Sequence, residues 1–95
     1  MEYIYIKREG DLETLKERVK NFESISNEEL IDAYNKQAKC GITGVHAQAL
    51  YLMSMGHVFF KRFGTSPIYM ENNLLGMKGQ IKLCGETYEF VNNTA

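Results

Sequence analysis

The sequence predicts an α+β domain: three helices with an uncharged third helix at the centre (about 44–63), and a small antiparallel sheet from a C-terminal hairpin (about 79–91). Three observations predict it. From Cys40 to Phe60 there is no Asp, Glu, Lys or Arg. A helix that is apolar on nearly all sides must be covered on nearly all sides. Two further stretches carry helix-start signals followed by apolar stripes. Residues 79–91 alternate apolar and polar, which is the period of a half-covered strand. Ninety-five residues make one domain, 1–95.

Residues 2–8, Glu2-Tyr-Ile-Tyr-Ile-Lys-Arg, are rich in β-branched and aromatic side chains and read as a strand that could join the sheet. Gly10-Asp11 ends it. Asp11 is placed to cap a first helix by accepting the amide of Glu13 or Thr14. Leu12, Leu15, Val19 and Phe22 form that helix's stripe.

Ser26-Asn-Glu-Glu is a capping box, with Ile25 and Leu30 spaced as a hydrophobic staple. The second helix runs to about Lys39 with Leu30, Ile31, Tyr34 and Ala38 inward. Glu28, Glu29 and Asp32 open it and Lys36 and Lys39 close it, the order that the helix dipole favours. Gly41 suits a left-handed C-cap.

Thr43 or Gly44 opens the third helix, which ends near Phe63 with Gly64 as its cap. One stripe holds Val45, Ala49, Leu52, Phe59 and Phe63, and a second holds Tyr51, Met55 and Val58. The segment from Thr65 to Gly76 carries Pro67 and Asn72-Asn73 and reads as a loop. In the final hairpin a Cys84-Gly85 turn sets Ile81 against Tyr88, Gly79 against Phe90, Lys82 against Thr87 and Gln80 against Glu89. Cysteine is uncomfortable in the first turn position, so a bulged turn with shifted register is the alternative.

The net charge of −1 gives no global field toward nucleic acid or an anionic membrane. The uncharged run approaches the ~20 residues of a membrane span. Gly41, Thr43, Gly44, His46, Gln48, Ser54, Gly56 and His57 interrupt it, so no span is expected. Met1-Glu-Tyr lacks the basic start and apolar core of a signal peptide. Cys40 and Cys84 do not make a disulfide scaffold, and a cytoplasmic chain with two reduced thiols is the expectation.

Chemistry-bearing patterns are sparse. His46 and His57 share a helix face, but at ~1.5 Å rise per residue they stand ~16 Å apart, too far for one zinc. Cys40 sits where a helix dipole disfavours a thiolate, and Cys84 sits in a turn without a nearby histidine. Glu28, Glu29 and Asp32 are explained as first-turn charges. There is no P-loop, GxGxxG or GxSxG, so no metal, cofactor or catalytic residue is assigned. The second and third helices, joined by Gly41-Ile-Thr-Gly, have the outline of a helix-turn-helix. A recognition helix without a cation before Lys61 is a poor match to phosphate.

Leu30-x-x-x-Tyr34-Asn35-Lys36-Gln37, Ala49-x-Tyr51-Leu52, Phe59-x-Lys61-Arg62 and Ser66-x-Ile68 together resemble a group of small bacterial proteins of unassigned function, many carried on mobile elements. A lysine-rich strand like Lys78–Leu83 follows in them. Those proteins often carry a tryptophan and an arginine before the third helix, where this chain has Ile42, Gly44 and His46.

The expected function is a small non-enzymatic binding or interaction protein. Tyr3, Tyr5, Tyr69 and Tyr88 exceed what the core stripes need, and tyrosine is enriched at interfaces. They serve equally well as covers for the sheet. A homodimer is expected, burying Met55 or the tyrosine-bearing face, because a short chain has few elements to shield its apolar surface. The first alternative is a nucleic-acid-binding accessory protein of a mobile element, touching phosphate through Lys61, Arg62, Lys78 and Lys82. The second is an enzyme whose site forms only in three dimensions.

Overall fold

The computed structural model of the chain describes residues 10–71 and 74–91. Among them are three helices, α1 (Asp11–Glu23), α2 (Asn27–Cys40) and α3 (His46–Phe63), followed by four strands. The strands are β1 (Ile68–Glu71), β2 (Leu74–Met77), β3 (Ile81–Cys84) and β4 (Thr87–Phe90). They pair antiparallel as two separate two-stranded sheets, β1 with β2 and β3 with β4. The fold is therefore α+β. The strand expected at 2–8, with Tyr3 and Tyr5, lies outside the described residues.

The helices run up, down and up. Asp11 meets His46 at the starts of α1 and α3, and Glu23 meets Lys61 at their ends, so these two helices are parallel. Arg62 reaches Asn27 at the start of α2 while Gln48 reaches Gln37 near its end, so α2 is antiparallel to both. The hairpins pack on the other elements through α3 against β1 and α2 against β3.

Each helix terminus follows from local sequence. Ser26 Oγ accepts the Glu29 amide at 3.1 Å, and Glu29 Oε1 accepts the Ser26 amide at 3.3 Å, completing the capping box. Asp11 does not cap α1. Gly10, at φ +87°, is the N-cap, and Asp11 is the first helical residue with its carboxylate committed to His46. Leu12 is 41% exposed and so lies off the buried stripe of Leu15 and Phe22. Helix α3 starts at His46 rather than at Thr43 or Gly44. Gly41 and Gly44 both adopt positive φ, which breaks the chain out of helix between them. Gln48 then organises the connection, accepting the Thr43 amide at 2.8 Å and donating to the Gly41 carbonyl at 2.9 Å.

The core gathers Leu30, Tyr34, Leu52, Met55, Val58, Phe59 and Ile81, all fully enclosed, with Phe22, Ile31 and Ile68 around them. Burial on α3 is concentrated between Leu50 and Phe59, whereas Val45 and Phe60 are exposed. Aromatic edges fill the space between helix and sheet. Tyr34 and Tyr88 both meet the Phe59 ring edge-on at 5.7 Å, an arrangement that the ring quadrupoles favour.

Two sheet expectations are corrected. The segment from Thr65 to Gly76, read as a loop, holds β1 and the start of β2. Its apolar residues fall on both faces, so no alternation marks it in the sequence. Pro67 stands just before β1, where a missing amide does no harm. The C-terminal hairpin pairs Ile81 with Phe90, Lys82 with Glu89, Leu83 with Tyr88 and Cys84 with Thr87. The turn is Gly85-Glu86, one residue beyond the expected pair, which shifts every partner by two. Gly85, at φ +64°, takes the first turn position and leaves Cys84 in the strand. A shift of two preserves the faces, so Ile81, Leu83 and Tyr88 still point inward.

Candidate interaction surface

Side chains alternate across a strand, so the β1–β2 register sorts the first hairpin into two faces. Ile68, Met70, Leu75 and Met77 share one face. Ile68 belongs to the core, and Leu75 and Met77 pack against it. Tyr69, Glu71, Leu74 and Gly76 share the opposite face, and Lys78 continues its parity. Leu74 is 68% exposed and Tyr69 40% exposed there. The second hairpin differs. Its outer side chains, Lys82, Cys84, Thr87 and Glu89, are polar or small and all exposed. The first hairpin thus carries apolar side chains on both faces, with Leu74 and Tyr69 standing beside Glu71 and Lys78 on the outer one, while the second is apolar inside and polar outside.

A sheet covered on both faces carries apolar residues on both, and one solvated face normally turns polar. The outer face of β1–β2 combines the two, with exposed Leu74 and Tyr69 beside exposed Glu71 and Lys78. Its tyrosine is fixed by a cross-strand partner. Tyr69 stands opposite Gly76, and its ring occupies the place that a Cβ at Gly76 would fill. An open groove of about 830 Å³ runs alongside, lined by Tyr69, Met70, Glu71, Met77, Lys78 and Phe90. Phe90 reaches it from the end of β4 and is about half exposed, and Val91 follows it onto the surface.

The other expected surface residues separate. Met55 is fully enclosed within the single chain, because α3 turns it into the core beneath the hairpins, and it is withdrawn as an interface residue. Tyr88 is half-buried, with its ring against Phe59, Phe63 and Phe90. Burial pushes its ionisation upward. Tyr69 alone of the described tyrosines in that set lies on the open face.

The four candidate phosphate contacts do not form a strip. Lys61 is ion-paired with Glu23, and Lys82 lies 3.4 Å from Glu89 on the second hairpin. Arg62 is a structural clamp. Its Nη2 donates to the carbonyls of Phe22, Glu23 and Ile25 at 2.8–3.1 Å, and its Nη1 donates to Asn27 Oδ1 at 3.0 Å. Two of these carbonyls lie in the last turn of α1 and the third in the connection to α2. Lys78 alone lines the groove.

Catalytic candidates fare no better as a group. His46 Nε2 lies 2.9 Å from Asp11 Oδ2, and Asp11 is 6% exposed. This pair ties the starts of two parallel helices, where a carboxylate is favoured by both dipoles. His57 lies beside Leu12, Leu15, Lys16 and Val19. Cys40 and Cys84 are free and exposed. No group of three His, Cys, Asp or Glu among the described residues could hold a metal ion. No helix among them is long and apolar enough to cross a membrane.

No protein-family model matches the chain, and neither a curated protein nor a solved structure is detectably similar to it.

Proposed function

We propose that this chain is a non-enzymatic interaction domain that works through the outer face of the first hairpin and associates with a second copy of itself. The observation that carries the reading is the outward exposure of Leu74 and Tyr69 on a hairpin whose inner face is already part of the core. Burying such side chains against a partner contributes ~25 cal/mol per Å² of apolar surface, so leaving them in water forgoes that gain. Two further features support it. The chain is nearly neutral, so self-repulsion is small. Arg62 and the His46–Asp11 pair are spent on joining helices.

Sedimentation velocity at micromolar concentration tests the reading. The wild-type chain is expected to sediment as a dimer, and Leu74→Lys as a folded monomer. Leu74 is exposed, so the substitution leaves the core intact. A wild-type monomer, or a dimer indifferent to Leu74→Lys, would remove this face as the interface.

A further inference from the structure

The charges at the two ends of this face carry the argument one step further. Glu71 ends β1 at the tip of the hairpin, and Lys78 follows β2 at its base. Lys78 donates its amide to the Pro67 carbonyl at 3.0 Å, so it stands level with Pro67, four residues from Glu71. At ~3.3 Å per residue that separates the two charges by roughly 13 Å along the strands. Both residues are exposed, both share the parity of Tyr69 and Leu74, and both line the groove. Neither makes an ion pair within the chain among the described residues. The face therefore has Glu71 beside Leu74 at its tip, Tyr69 opposite Gly76 in its middle, and Lys78 at its base, an anion at one end and a cation at the other.

Such a strip is complementary to itself reversed. A two-fold interface sets residue i on j and j on i. An axis lying between the two faces along the strands would set tip on tip, with Glu71 on Glu71 and Lys78 on Lys78. An axis lying between them but crossing the strands reverses the hairpin end for end and sets each tip on the other copy's base. Like charges face one another in the first arrangement and opposite charges in the second, and electrostatics of this kind fixes register.

Resting on the proposed function, we infer that two copies pack these hairpins face to face about a two-fold axis crossing the strands, with Glu71 of each copy opposite Lys78 of the other. Tyr69 and Gly76 occupy the middle of the interface, each Leu74, level with Glu71, lies at an end beside Lys78 of the other copy, and each dimer holds two crosswise ion pairs at its ends.

A charge-swap cycle on the full chain tests the arrangement by sedimentation equilibrium. Glu71→Lys alone and Lys78→Glu alone each place like charges together at both ends of the dimer. Each should raise the dimer Kd about tenfold or more. The double variant Glu71→Lys/Lys78→Glu restores opposite pairs and should return the Kd to within about threefold of wild type. Single swaps that leave the Kd unchanged, or a double variant no tighter than the singles, would overturn the crosswise pairing. If Leu74→Lys still dissociates the dimer in that case, the face stands as the interface and only its arrangement fails. A wild-type monomer overturns both.

Discussion

Asn35 on α2 holds Ile81 on β3 by two hydrogen bonds, one in each direction. Its Nδ2 donates to the Ile81 carbonyl at 2.8 Å, and its Oδ1 accepts the Ile81 amide at 2.9 Å. The side-chain amide thus does for β3 what a neighbouring strand would do. One residue earlier, the Tyr34 hydroxyl donates to the Gly79 carbonyl at 2.6 Å. An isolated two-stranded hairpin is marginal in water. These consecutive helix residues fasten the second hairpin to α2, and that placement brings Phe90 to the groove beside the first hairpin.

Replacing Asn35 by alanine should therefore loosen the second hairpin specifically. It leaves the amide and carbonyl of a 1%-exposed residue without their partner. An unsatisfied buried polar group costs about 1–3 kcal/mol. Urea unfolding should show a loss in that range. Native-state hydrogen exchange should show the Ile81 amide losing protection before amides in the middle of α3. Equal protection of the two in Asn35→Ala would mean that the bonds add nothing to the strand's local stability.

Arg62 should not be replaceable by lysine. One guanidinium nitrogen serves three carbonyls around the α1–α2 connection and the other serves Asn27. An ammonium is a point donor without that planar fork. Arg62→Lys keeps the charge and loses most of the geometry, with an expected cost of about 2 kcal/mol from hydrogen bonds to a charged donor. Thermal unfolding followed by circular dichroism checks it. A variant as stable as wild type would show that the charge alone suffices.

These two clamps explain what could be read from the sequence and what could not. Helix positions were legible because caps and stripes are local: Ser26 with Glu29 marks the start of α2, and Gly64, at φ +76°, marks the end of α3. Asn35 and Arg62 act across 46 and 35–40 residues of chain, and no local pattern distinguishes an asparagine that mimics a strand from one that faces water. The first hairpin escaped notice for the opposite reason. Its apolar residues on both faces erase the period-two signal. Met55 looked like a spare apolar residue because a stripe on a helix does not reveal which neighbours will enclose it.

Stability should fall in acid partly through Glu23. The hydrogen bond from Lys61 holds its carboxyl below the ordinary value of 4.5, with further help from the Lys61 charge. A carboxyl whose folded pKa is depressed contributes stability that is present above its unfolded value and lost as pH falls through the folded one. The contribution therefore disappears below about pH 4.5. Lys61→Gln removes it, so wild type and variant should converge in denaturant midpoint as pH is lowered from 7 toward 3. The gap at pH 7 should also shrink in high salt, because the pair is exposed and screened. A gap independent of pH would show that Lys61 acts by packing rather than by charge.

Alkaline pH should destabilise the chain through two tyrosines, the fully enclosed Tyr34 and the partly buried Tyr88. Burial is the largest influence on Tyr34 and raises its hydroxyl above the ordinary value of 10.0, although the bond to the Gly79 carbonyl accompanies it. Tyr88 is raised for the same first reason. A group whose folded pKa is raised keeps its full contribution below the unfolded value and loses it as pH climbs through the folded one. Stability is thus expected to hold up to about pH 10 and to decline beyond it. Tyr34→Phe separates the two roles of that residue. At pH 7 it should be less stable by about 1 kcal/mol for the lost hydrogen bond. Above pH 10 its stability should fall less steeply than that of wild type, because phenylalanine releases no proton. The midpoints of the two proteins in urea, measured from pH 7 to 11.5, should therefore draw together. Parallel curves would place the alkaline transition elsewhere, with Tyr88→Phe as the next variant to measure.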